Sequence, residues 1–364
     1  MPYFLQDQLT QAQAEALGAF VLANPHCSLS QHPAWVRVAG HGRASHWSYF
    51  WEVENGQIQA SALVKRVKLP GLGWTSDQVE NGPVCADADR LRDALRQLVD
   101  MLHARGSVSV RVNPNWCQPD AERVEADLAA MGFHPLPAGY GHYGQTLMVD
   151  LVPGEEEILH SFRKATRKQL RKAEELGLSV TPARDEADMR AFWRLYRDMA
   201  LDRGLEQKSE GFFVRLWHEF LEGERDGHCL IARYQGEVVS GHIAFKQGDW
   251  GVAAFSPSAP GAFSEVPKHH LCRWHSIRWA RLRGCTRYDL GGYRPDAAPD
   301  SPLAANNQFK LGFSKTALKL VREHELHLSP FRQRVIVQIQ RWRHKVLTAR
   351  GSGDGASQRS RELR

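Results

Sequence analysis

Two hairpin signals sit at matching places in the two halves of this 364-residue chain. Asn55-Gly56 separates strand-like runs at 46–53 and 57–67, and Gln235-Gly236 separates runs at 228–234 and 237–246. Asn-Gly between such runs supplies the two positive-φ residues that a two-residue hairpin turn needs. Around each hairpin the same order of elements recurs. In the first half, 74–84 reads as a loop, and Leu91, Leu95, Leu98, Val99 and Leu102 recur at helical spacing up to Gly106. Val108, Val110 and Val112 then alternate as a strand, 122–131 reads as a helix closed by Gly132, and 145–151 reads as a strand. In the second half, helices at 155–161 and 163–176 precede a strand at 178–181, and Met189, Phe192, Leu195, Tyr196 and Met199 mark a further helix. After the hairpin come a strand at 250–255, a helix at 267–283 ended by Gly284, a strand at 287–290 and a last strand at 316–328. The pattern predicts an α/β (α+β) fold from a duplicated unit, each copy a mixed, mostly antiparallel sheet flanked by helices. The units are expected at 1–152 and 153–330, with the boundary near Leu151-Val152-Pro153-Gly154. A basic helix follows at 331–350, where Phe331, Val335, Ile339, Trp342 and Val346 form one stripe, and the Gly/Ser-rich stretch 351–364 is expected to be disordered.

Charge divides the same two halves. Residues 1–150 carry 11 Lys+Arg against 15 Asp+Glu, and residues 151–364 carry 36 against 26, so the net charge of +6 is entirely a property of the second half. That asymmetry points to a polyanionic partner there. The six cysteines contain no Cys-x-x-Cys pair, which argues for reduced thiols over a zinc ribbon or a disulfide framework. His269, His270 and His275 lack a carboxylate at helical spacing, so no metal is expected. No apolar run is long enough to span a bilayer, and Met1 to Ala19 has no basic segment before an apolar one, so a cytoplasmic protein is expected.

Two stretches carry candidate chemistry. The first is Tyr288-Asp289-Leu290-Gly291-Gly292, followed after a proline-rich loop by Asn306-Asn307-Gln308-Phe309-Lys310-Leu311-Gly312-Phe313. A strand that ends in two glycines leaves bare backbone, and a buried aromatic then delivers one lysine; a plain strand and turn reads the same way. The second is the helix at 163–176, where Arg163, Lys164, Arg167, Lys168, Arg171 and Lys172 fall at i, i+1, i+4, i+5, i+8 and i+9, opposite Phe162, Ala165, Leu170, Ala173 and Leu176. Like charges at i,i+4 cost a few tenths of a kcal/mol per pair, roughly, so the face reads as one that meets phosphates, with a solvated surface as the alternative. The segment 331–350 adds Arg332, Arg334, Arg341, Arg343, Lys345 and Arg350 with no acidic residue among them.

The basic Arg-x-x-x-Arg helix opening the second half, Tyr-Asp-Leu-Gly-Gly after a long helix, Phe-Lys-x-Gly-Phe beyond it, and Gln31-x-x-x-Trp35 near the start together resemble the FemABX family of aminoacyl-tRNA-dependent peptidyltransferases. The resemblance spans about residues 30–330. It implies two tandem GNAT-like domains and transfer of an aminoacyl group from aminoacyl-tRNA, a co-substrate with no further cofactor, to an amine acceptor such as a peptidoglycan precursor bearing a diphosphate. Contact with a membrane-bound precursor would be peripheral. It also implies that Lys310 faces the acceptor's phosphate or the reacting ester, and that Arg203 binds substrate. Where the family often carries a lysine four residues after the opening tryptophan, this chain has Ala39, and Arg37 is the nearest substitute. Gly291, Gly292, Tyr293 and Phe309 complete the expected substrate site, and Asp289 either accepts a proton or caps the turn.

An aminoacyl ester is already activated, so positioning, proton removal and oxyanion stabilisation suffice. Three other readings stay open. An acyl-CoA-dependent GNAT N-acyltransferase would need a glycine-rich pyrophosphate loop, and Glu265-Val266-Pro267-Lys268-His269-His270-Leu271 stands in that place. A tRNA-dependent amide-forming enzyme of small-molecule or envelope polysaccharide biosynthesis would share every motif, and a non-catalytic RNA-binding protein would share the basic helices alone.

Overall fold

Both hairpin turns adopt the paired positive φ that the sequence demands: 51° and 75° at Asn55 and Gly56, 51° and 85° at Gln235 and Gly236. In the computed structural model, which describes residues 2–40, 46–69, 73–137, 143–259, 261, 263–329, 331, 332 and 335, they join neighbouring strands of two mixed sheets. The first sheet runs, in spatial order, Tyr3–Gln6, His46–Glu54, Gln57–Lys68, Thr75–Val79, Ser107–Val112, His324–His327 and His134–Pro135, with Val84–Cys85 paired beside Gln57–Lys68. The second runs Ala317–Lys319, Gln145–Asp150, Arg287–Gly292, Trp250–Phe255, Glu237–Gln247, Gly227–Tyr234 and Ser179–Pro182. One strand pair in each sheet is parallel: Thr75–Val79 with Ser107–Val112, and Trp250–Phe255 with Arg287–Gly292. The basic stretch beyond 335 lies outside the described residues.

The chain crosses between the sheets in a way the linear reading does not anticipate. The strand at 145–151, expected with the first unit, pairs on both edges within the second sheet, against Arg287–Gly292 and Ala317–Lys319. The segment 316–328, expected as one strand, is two. Ala317–Lys319 stays in the second sheet, and His324–His327 returns to the first, beside Ser107–Val112. The supposed loop at 74–84 contains the strands Thr75–Val79 and Val84–Cys85. Its period-2 signal is weak because the adjacent Ser76 and Asp77, on opposite faces of the strand, are polar and both buried, their polarity satisfied by Ser109 and Arg66.

Burial explains the stability of each unit. The helix Ala88–Ala104 lays Leu91, Leu95, Leu98 and Leu102 on Phe50, Val110 and Val112. In the second unit, Phe162, Leu170, Ile277, Tyr288 and Phe313 share one core. A third core joins the units, with Leu29, Ala34 and Val38 packed against Phe192, Phe213, Phe220 and Trp217. The Gln31-x-x-x-Trp35 segment therefore acts as a clamp. Gln31 bonds the Leu63 N–H at 2.8 Å and the Glu80 carbonyl at 2.7 Å, while Trp35 lies 6.3 and 6.1 Å from the Phe212 and Phe220 rings. Val321, carried back across the molecule by the second crossing, is 4% exposed in the first unit's core. Val321→Asp places an unpaired charge there and is expected to cost about 3 kcal/mol or more, read as a lowered melting midpoint; a melting point equal to that of the parent would contradict this role.

Candidate active site

The second unit's parallel pair defines the site by coming apart. Trp250–Phe255 and Arg287–Gly292 are in register at Trp250/Arg287, Gly251/Tyr288 and Val252/Asp289 and no further. Beyond Asp289 one strand keeps its partner Gln145–Asp150, through Gly292 opposite Thr146, and the other keeps Glu237–Gln247, through Ile243 opposite Phe255. The equivalent pair in the first unit stays together to its ends at Val79/Val112. There the Ser76 and Ser109 hydroxyls meet at 2.8 Å, and Asn81 and Asn113 exchange bonds of 3.0 and 2.9 Å. One unit is stapled shut and the other is open.

Into the opening comes Lys310. Its helix, Pro302–Leu311, starts cleanly: Ser301 caps the Ala304 N–H at 3.2 Å, and Pro302 fills the first turn, where no amide partner is lost. The Lys310 amine donates to the Gly292 carbonyl at 2.5 Å and is 7% exposed. Gly291 is required by its φ of 88°, which a side chain would strain; a Cβ there would meet the amine at an ordinary contact distance of 3.6 Å. Burial, and next the Arg273 guanidinium, pull the Lys310 ammonium down to about 8, against the opposing pull of Asp289.

Asp289 is buried beside it. One carboxylate oxygen accepts both the Thr146 hydroxyl and the Gly291 N–H, the latter at 2.7 Å, and burial pushes its pKa up. Those bonds cap the strand-to-turn transition, and they also take the Gly291 N–H out of the set of donors free for a ligand. Behind the opening runs a continuous hydrogen-bonded chain. His228 meets Ser276 at 2.8 Å, Ser276 meets the Tyr288 hydroxyl at 2.7 Å, Tyr288 meets His242 at 2.8 Å, and His242 meets Ser256 at 2.7 Å. Burial pulls His228 down to about 3 and His242 well below its ordinary value, so both imidazoles are neutral at neutral pH. A cleft of about 130 Å³ between the units, lined by Asn81, Asn113, Trp116, Tyr143, Asp289 and Gly292, reaches the same point from the first unit.

The other sequence candidates distribute as follows. Phe309, partly buried, stacks edge-on between His270 and Phe313 at 5.0 and 5.2 Å and packs against the second unit's core. Tyr293 packs on that core, and its N–H donates to the Gln145 carbonyl. Arg203 ends the helix Glu186–Asp202, is exposed, and adds a minor electrostatic contribution to the depressed pKa of His269. Arg37 is committed to Glu219 through bonds of 2.5 and 2.6 Å that tie the two units. On the basic helix, Lys164–Glu175, the residues Arg163, Lys164, Lys168, Arg171 and Lys172 are exposed and make no ion pair among the described residues. Arg167 is turned back to the carbonyls of His160 and Phe162. Ala165 faces out, and Thr166 takes the inward position against Gly312, because the helix starts from a tight contact of the Arg163 N–H with the Gly312 carbonyl. The basic face therefore begins beside the last turn of the Lys310 helix. Among the described residues no group of three or more His, Cys, Asp or Glu is placed to hold a metal ion, and the six cysteines are free thiols. No described helix is long and apolar enough to cross a membrane.

Sequence reading missed Arg273, Thr146 and the His228-to-Ser256 chain. For Arg273 a signal existed: it falls on one stripe with Ser276, Ile277 and Ala280 at i, i+3, i+4 and i+7 of the helix Lys268–Leu282, the buried face.

Comparison with known proteins agrees with this architecture. The FemAB family model matches residues 12–226, and a model described as an acetyltransferase (GNAT) domain matches residues 160–310. The chain belongs to the FemAB family, and it is an enzyme of the aminoacyltransferase kind. Among similar proteins is the lipid II:glycine glycyltransferase of Staphylococcus aureus (strain MRSA252), 21% identical over an alignment covering 78% of this chain and 84% of that protein. The crystal structure of FemX superposes with a TM-score of 0.76 at 17% identity, over 90% of this chain and 97% of that one. A tandem GNAT protein from the clavulanic acid biosynthesis pathway superposes with a TM-score of 0.52 at 12% identity, over 90% and 99%. These likenesses show the fold to be two GNAT-like units in tandem.

If Asp289 caps the turn rather than accepting a proton, Asp289→Asn keeps the acceptor oxygen and is expected to retain transfer activity within about tenfold of the parent. Loss on the order of 10²-fold or more, the usual weight of a general base, in a variant that melts normally would assign the proton to Asp289.

Proposed function

We propose that the protein moves an aminoacyl group from aminoacyl-tRNA to an amine on a peptidoglycan precursor, forming an amide bond. The observation that carries this reading is the open strand pair, filled by the Lys310 amine, next to the start of an exposed basic helix whose cations have no acidic partners among the described residues. The likeness to a lipid II:glycine glycyltransferase supports a precursor of that kind as acceptor and an amino acid as the transferred group. The tRNA would lie along Arg163, Lys164, Lys168, Arg171 and Lys172, where phosphate neutralisation supplies affinity that falls with salt. Lys310, bonded to the Gly292 carbonyl, would stand where ester and amine meet, and Arg203 would serve as a further substrate contact.

In the reaction the acceptor nitrogen attacks the ester carbonyl and its lone pair becomes the new C–N bond. The carbonyl π pair moves to oxygen and returns as the C–O bond to the ribose breaks. The nitrogen sheds one proton, and the ribose oxygen gains one. Lys310 as a cation would stabilise charge on the carbonyl oxygen, acting in a water-poor site where such charges count most. The GNAT-domain match keeps acyl-CoA in view as a donor. Against it, the helix Lys268–Leu282 begins with amides already used in turns, Lys268 N–H to Val266 and His270 N–H to Pro267, instead of a bare cradle for pyrophosphate.

Two measurements test the reading. Incubation with charged tRNAs and precursor acceptors is expected to give transfer that RNase abolishes; transfer that survives RNase and requires acyl-CoA would overturn it. Because the Lys310 ammonium ionises near pH 8 between Arg273 and Asp289, its cationic role is present below that pH and lost as pH rises through it. The rate is therefore expected to fall on the alkaline side near pH 8, Lys310→Arg to lack that limb, and Lys310→Gln to lose on the order of 10²-fold in kcat. A rate that rises through pH 8 in the parent and stays flat in Lys310→Gln would assign Lys310 a basic role.

A further inference from the structure

Arg273 is the largest unexplained charge in the interior. It is 6% exposed and forms no ion pair among the described residues. One terminal nitrogen donates to the Ser256 hydroxyl at 3.3 Å, the guanidinium carbon lies 5.9 Å from the centre of the Tyr288 ring, and the other terminal nitrogen, also buried, has no partner. An unpaired buried N–H in a native interior calls for something to meet it, an ordered water or a ligand, and a buried charge without a counterion is costly.

The surroundings show what that is. The groups facing Arg273 from the sheet are Ser256, His242, Tyr288 and Asp289; from its own helix His269; from the helix Pro302–Leu311, Lys310. The imidazoles are neutral at pH 7, His269 being held down to about 4. That leaves two buried cations against one carboxylate, whose bonded oxygen is shared by Thr146 and the Gly291 N–H. The point where the strands part thus carries an uncompensated positive charge and an unused donor. The serine that accepts from the guanidinium ends the chain running back to His228, and the tyrosine ring beside it is that chain's middle member, so the arginine is held by a bonded network before any ligand arrives.

We propose that Arg273 and Lys310 together form an oxyanion site at the opening between the two parallel strands. Resting on the transfer reaction proposed above, its occupant is the carbonyl oxygen that takes up the π pair when the acceptor nitrogen attacks, and gives it back as the ribose oxygen leaves. A compact free oxyanion such as inorganic phosphate shares that chemistry and serves as a probe.

The test uses the full chain labelled with ¹³C at lysine Cε. The Lys310 signal, assigned by its absence in Lys310→Arg, is followed by NMR at pH 7 as inorganic phosphate is added. The parent and Arg273→Lys are expected to give a saturable shift, and Arg273→Gln a response at least about tenfold weaker. In steady-state transfer, Arg273→Gln is expected to lower kcat on the order of 10²-fold, the usual weight of an oxyanion donor, with KM changed less than about threefold. Absence of any phosphate response in the parent overturns the site, as does a response in Arg273→Gln equal to the parent's. A rise in KM alone would assign the cations to a phosphate of the bound acceptor and overturn the reaction-oxyanion role. If Arg273→Gln does not fold, loss of the shift in Arg273→Lys likewise overturns a role for charge. The titration contains neither tRNA nor acceptor, so it succeeds or fails independently of the donor's identity.

Discussion

Two parallel strands that hydrogen-bond for three residues and then separate leave backbone and space inside a protein, and something polar must occupy both. In the second unit that requirement organises everything nearby. Gly291 takes a left-handed φ so that the strand turns away, Asp289 caps the turn, and the Lys310 amine fills the gap on the Gly292 carbonyl. The same problem in the first unit is solved by closing the pair with serine and asparagine contacts. A duplicated architecture is thereby specialised: one copy carries the opening, and the other supplies a wall and a set of clamps.

The electrostatics follow from this placement. Each unpaired cation in an interior is destabilising by several kcal/mol, on the order of the whole folding free energy per group, and the second unit holds two around one carboxylate. The fold tolerates them because the neighbouring hydroxyls and neutral imidazoles form a bonded chain of fixed dipoles, from Ser256 to His228, and because the Phe162, Ile277 and Phe313 core packs behind it. Stability is lost locally to hold this charge in place, which is the cost that electrostatic preorganisation of a site carries. The shared core around Leu29, Val38 and Phe220, with the Arg37–Glu219 pair at its rim, keeps the two units in one register while this is done.

Much of this was legible in the chain itself, for identifiable reasons. Hairpins at Asn55-Gly56 and Gln235-Gly236 announce themselves because positive φ restricts the residue choice, and leucines at helical spacing mark Ala88–Ala104. The Asp289, Gly291, Gly292 and Lys310 group could be found because strand, glycines and lysine lie within one short span. What stayed hidden depends on long-range pairing. Gln145–Asp150 alternates equally well for either sheet, and only its partners decide; His324–His327 is read as a continuation of Ala317–Lys319 until the crossing is seen. Arg37 read as a ligand-facing cation because Glu219 is far away in sequence, and Ala165 and Thr166 exchanged places because the helix's phase is set by Gly312. Arg273 stayed unread because its surroundings, the Ser256 hydroxyl and the Tyr288 ring, are brought together only by the fold.

The central claim is that acyl transfer takes place where the second unit's strands part. A non-hydrolysable aminoacyl-tRNA analogue with a photoreactive group on its aminoacyl moiety tests it directly, with the adducts mapped by mass spectrometry. The account requires labelling within residues 287–313 and at residues beside them, competed by authentic aminoacyl-tRNA. Labelling confined to the first unit, or equal labelling when Lys310 and Arg273 are both replaced by glutamine in a folded chain, would contradict it.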